Sequence, residues 1–120
     1  MMASFSLRLL IATVLVLAAR PALAADPEGI RFFESKIRPR LVRECQQCHS
    51  QKGKKIESGF SLESRQRVIQ GGDRGAAIKL EKPSESLLVQ AVTYQDDDLQ
   101  MPPKKQLAKD QVALLKKWIQ

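Results

Sequence analysis

Apolar residues recur along this chain at helical spacing, and no stretch reads as a strand. Ile30, Phe33 and Ile37 predict a first helix, which Asp26 opens as a cap and Pro27 enters at the first helical position, where a missing N–H costs nothing. Pro39 ends or kinks that helix. Leu41 and Val42 then continue its apolar side as a helical turn that leads into Cys45. Residues 51–59 are polar and basic, with Gly53 and Gly59 at loop positions, and read as an exposed excursion in which Lys52, Lys54 and Lys55 face water. Ser64 caps a short helix through Ile69 that stops at Gly71-Gly72. Residues 73–81 form a loop. Ser84 caps, or Pro83 opens, a third helix on which Leu87, Leu88, Ala91 and Val92 form a core stripe. After an acidic turn at Asp96-Asp97-Asp98 and a proline-stiffened loop, a last helix starts near Lys109. It places Val112, Leu115 and Ile119 on one face, with Leu114 and Trp118 beside them. Trp118 is expected to pack on the first helix. The fold class is therefore all-α, in one small domain without internal repeats.

The first residues follow a different logic. Arg8, the apolar run from Leu9 to Ala19 and the small-residue site Ala22-Leu23-Ala24 read as an export signal over residues 1–24, leaving 25–120 as the domain. A retained membrane anchor is the competing reading, but Arg8 and Arg20 bracket eleven residues where a spanning helix needs about 20. Membrane association follows only if this segment is kept. Of 20 basic residues the signal removes two, so 18 remain against 13 acidic ones, a formal +5. Scattered basic residues, few aromatics and no groove-reading motif argue against nucleic acid. A weakly positive face for an acidic partner protein stays open.

Cys45-Gln46-Gln47-Cys48-His49 changes the picture. Thiols at i and i+3 lie on one side of a helical turn, where each can add to a vinyl group of a porphyrin, and His49 follows in place to bind its iron as the proximal ligand. Zinc fits poorly, because two cysteines and one histidine fall short of the four ligands of a structural site. A thioredoxin-like pair would need a preceding strand. A plain disulfide is the remaining alternative. One covalent haem c also suits the chain's size: about 60–65% burial makes a marginal core that the cofactor would complete.

With the signal removed, Met101 is the only methionine, as His49 is the only histidine. It sits before Pro102-Pro103, two residues of fixed φ that stiffen the loop presenting its sulfur. Met101 is the expected distal ligand. Water or a lysine such as Lys104 in the sixth position are the alternatives. Tyr94 could donate to a haem propionate, although an ordinary half-buried tyrosine is the simpler reading, and Arg74 could pair with a propionate too. The acidic turn reads as solvated, and no catalytic residues are expected.

These residues, taken in order, resemble the planctomycete-type cytochrome c domain. The match runs from Phe32-Phe33 through Ile37, Pro39, the Cys45–His49 motif, Leu62, Ser64-Arg65, Gly71-Gly72-Asp73, Lys82-Pro83, Ser86-Leu87-Leu88, Tyr94 and Met101-Pro102-Pro103 to Trp118-Ile119. The resemblance implies a class-I-like helical fold wrapped around haem, with His49 and Met101 as axial ligands. Such domains usually stand at the front of longer exported proteins. Lys79-Leu80-Glu81 departs from the Val-Pro-Gly expected before Lys82-Pro83, and Ala108 stands where a Ser or Asp cap is usual. The expected function is single-electron transfer between partner proteins, on the periplasmic or cell-envelope side of the inner membrane, and not an enzymatic reaction. A haem sensor or peroxidase-like protein with an open sixth position is the first alternative, and a haem-stabilised interaction module joined to further domains of a longer product the second.

Overall fold

Asp26 caps the first helix. Its carboxylate accepts hydrogen bonds from the N–H groups of Glu28 (3.1 Å) and Gly29 (3.0 Å), donors that the first helical turn leaves without partners. The structure is a computed structural model and describes residues 26–53 and 56–120. The predicted export signal, and Lys54 and Lys55 of the polar excursion, lie outside the described residues.

Helix α1 spans Pro27–Phe32, but the chain does not stop before Pro39. It widens into one π turn, Phe33–Ile37, and continues as α2, Arg38–Glu44, with Pro39 in the first turn. The Arg38 N–H reaches back five residues to the Phe33 carbonyl. In a regular helix the Pro39 ring would press on the Ser35 carbonyl, and the wider turn relieves that clash. It also shifts the phase between the two halves. Ile37 is fully buried and Phe33 half-buried, whereas Ile30 is 51% exposed, so the predicted apolar stripe fails at its first member.

Helix α3, Arg65–Gln70, is capped as expected: the Ser64 hydroxyl accepts from the Arg67 N–H at 3.2 Å, and Gly71 ends the helix at φ 77°. The expected cap of the next helix is corrected. Pro83–Glu85 forms a separate short 3-10 turn, and α4, Leu87–Val92, starts after Ser86. The buried Ser86 hydroxyl turns away from the helix; it accepts from the Lys79 N–H (2.9 Å) and donates to the Lys82 carbonyl (3.1 Å). Helix α5, Lys109–Ile119, follows Ala108, whose methyl group cannot cap. Only half of a capping box forms, as the Ala108 N–H donates to the Gln111 side chain at 3.1 Å.

Ile37 and Leu41 from the first helical segment meet Val89 and Val92 of α4 and Leu115 and Ile119 of α5 in one core. Trp118 stacks obliquely on Phe33, ring centroids 5.6 Å apart, which joins α5 to the π turn as the sequence predicts. Among the described residues there is no strand, only an isolated antiparallel bridge between Gly72 and Gly75. The all-α class holds. No helix among these residues is long and apolar enough to cross a membrane.

Candidate functional site

The end of α2 delivers the cysteine motif. The Cys45 N–H closes the helix on the Leu41 carbonyl (3.0 Å), and the N–H groups of Cys48 and His49 return to the Cys45 carbonyl at 3.2 and 3.1 Å. This tight turn brings both sulfurs and the imidazole to the same side. Cys45 is half-buried and Cys48 exposed, and the two are not joined to each other. Burial, aided by the neighbouring Glu44 carboxylate, pushes the Cys45 thiol up to about 11. Unattached, that sulfur stays a neutral thiol across the physiological range.

His49 is oriented from behind. Its Nδ1 lies 3.1 Å from the Phe60 carbonyl, which can only accept, so Nδ1 carries the proton and donates. In the neutral imidazole this leaves the lone pair on Nε2, the arrangement a metal requires. The segment that supplies this carbonyl is laced to the motif by two further bonds: Glu57 N–H to the Cys48 carbonyl (2.9 Å) and Leu62 N–H to the His49 carbonyl (2.8 Å). The Phe60 ring also packs on the imidazole at 5.2 Å. Gly72 permits this close fit. A Cβ there would meet the Ser58 carbonyl oxygen at 2.3 Å and the Phe60 nitrogen at 2.9 Å.

All four predicted site residues, Cys45, Cys48, His49 and Met101, line one partly enclosed cavity of about 290 Å³. Its wall is apolar where Leu62, Ala77, Leu88, Ala91 and Val92 face it, while Arg74, Asp73 and Asp98 stand among its lining residues. Met101 is held by its backbone, its N–H donating to the Ala91 carbonyl at 3.1 Å. Tyr94, half-buried, donates its hydroxyl to the carbonyl of Pro102. Arg74 donates to the Asp98 carbonyl (3.1 Å) and pairs with the Asp96 carboxylate (3.4 Å). The acidic turn is exposed, as expected, but it serves as the partner of Arg74.

Sequence reasoning missed the Phe60 carbonyl and the bond between Arg74 and residues 96–98. The first had no signal, because every residue carries a carbonyl. The second spans 22 positions with no periodicity to mark it.

The donor set suits iron porphyrin: two thiols for the vinyl groups, an imidazole with a free Nε2, a thioether from another loop, and apolar walls for the ring. The site and the helical fold thus define a c-type cytochrome. A protein-family model described as planctomycete cytochrome C matches residues 45–105, just over half of the chain, and the chain belongs to that family. No curated protein and no solved structure matched it.

Proposed function

We propose that the chain carries one haem c, attached at Cys45 and Cys48 with His49 and Met101 as axial ligands, and passes single electrons between partner proteins on the exported side of a membrane. The haem iron that these residues would hold would supply one-electron redox chemistry, with no substrate bond made or broken. The observation that carries the reading is the Phe60 carbonyl on His49 Nδ1, which in the neutral imidazole leaves the Nε2 lone pair available to a metal, within a cavity that Met101 also lines.

The protein's own contribution is to hold and to exclude. The cysteines fix the ring in place, so the axial bonds do not have to retain it alone. Phe60 keeps the imidazole in one tautomer and one orientation. Leu62, Leu88 and Val92 keep water from the ring faces, which favours the less charged, reduced state of the iron. Met101 as a second ligand would favour electron transfer over oxygen or peroxide chemistry. Export accords with the leader-like residues 1–24 and with a compartment in which covalent haem attachment takes place.

Redox titration of the holoprotein tests this. The expected result is a single one-electron transition, together with the weak far-red absorption that methionine sulfur gives ferric haem. Met101→Ala should abolish that band, lower the potential and open the reduced protein to carbon monoxide. A wild-type protein that lacks the band and binds carbon monoxide at once would instead establish an open sixth position.

A further inference from the structure

We infer that Tyr94 and Arg74 are positioning residues for Met101, clamping its loop from both sides and so setting how readily another ligand takes the sixth position. The inference rests on the reading of Met101 as a ligand.

Tyr94 leaves the end of α4 at φ 56°, a left-handed conformation that a tyrosine adopts only when its surroundings hold it there. From that position its hydroxyl reaches the carbonyl of Pro102, the residue just after Met101. Arg74 works from the other side. Its guanidinium bonds the Asp98 carbonyl at 3.1 Å and the Asp96 carboxylate at 3.4 Å, and Asp96 closes its own turn by accepting the Asp98 N–H at 2.8 Å. Between the two clamps the Met101 N–H is bound to Ala91. The backbone is thus fixed before, at and after the residue whose sulfur must stay near the iron.

A thioether is a weak ligand, so its hold depends on how little freedom the loop regains when the sulfur departs. Each clamp removed raises the fraction of time that Met101 is away. The Tyr94 bond is half-buried and should count for more. The Arg74 side chain is 51% exposed, and its pairing is correspondingly screened by solvent.

Carbon monoxide association with reduced holoprotein reads this directly, because the gas must wait for the sulfur to leave. Tyr94→Phe should speed it roughly three- to tenfold, the value of one hydrogen bond. Arg74→Gln should speed it about two- to threefold, and the far-red band should weaken in the same order. A purely structural role would lower the melting temperature but leave the rate, measured well below it, unchanged. Should Tyr94→Phe fail to acquire haem, Arg74→Gln decides alone. Wild-type rates in both variants, with the far-red band present in the parent, would overturn the clamps and leave the Met101 ligand standing. A parent that binds carbon monoxide as fast as Met101→Ala would overturn both.

Discussion

A single methyl group is enough to test how closely Gly72 approaches the segment that presents the Phe60 carbonyl. At Gly72 a Cβ has nowhere to go, since the Ser58 carbonyl and the Phe60 nitrogen stand 2.3 and 2.9 Å from it and both are backbone atoms. Gly72→Ala should therefore push away the segment that presents the Phe60 carbonyl to His49. The expected cost is about 1–3 kcal/mol, read as a fall of roughly 4–8 °C in melting temperature per kcal/mol. The candidate residues were legible because they are rare: two cysteines, one histidine and one methionine in residues 25–120, all four of which the fold brings to one cavity. Phe60 was not legible, since its side chain does not do the work. The carbonyl behind His49 becomes visible only once residues 57–62 are seen to fold back along the motif.

At the scale of elements, local rules succeeded where one residue could satisfy them. Asp26 and Ser64 cap as their chemistry predicts, and Ser64→Ala should destabilise the protein by about 1 kcal/mol through loss of the bond to the Arg67 N–H. The rules failed where tertiary demands competed. Pro39 was expected to end or kink a helix, but the packing of Ile37 and Leu41 on both sides of it keeps the segment helical, and the π turn absorbs the conflict. Ser86, rather than Ser84, precedes α4, because its hydroxyl is needed to close the loop at residues 79–82. That loop contains the departure from the family pattern at Glu81. Glu81 lies at φ 63°, the left-handed region in which the expected glycine would rest without penalty. Its N–H nevertheless holds the Ile119 carbonyl at 3.1 Å, so the turn is kept despite the unfavourable residue. Glu81→Gly should stabilise the domain by about 0.5–1 kcal/mol, with chemical denaturation of the two holoproteins as the check.

For the whole molecule, the cavity decides. Filled by the proposed haem, the cavity of about 290 Å³ would have its apolar walls covered, at roughly 25 cal/mol per Å² of apolar surface removed from water, in a domain whose total stability is about 5–14 kcal/mol. On that reading haem would be a structural component as well as the proposed redox centre. Chain produced without haem attachment should lose most of its helical circular dichroism or melt far below the holoprotein. The all-α architecture could be read from the spacing of Val112, Leu115 and Ile119, and the expected packing of Trp118 on the first helical segment is met by its contact with Phe33. The cavity could not, because its walls come from separate loops and helices that only the folded chain brings together.

The most direct test of the account is haem-dependent staining of the mature protein on a denaturing gel, after production in cells equipped for covalent haem attachment. The wild-type chain should retain its haem through denaturation, and the Cys45→Ala, Cys48→Ala double variant should release it. A wild-type band free of haem, with Cys45 and Cys48 joined in a disulfide, would contradict it.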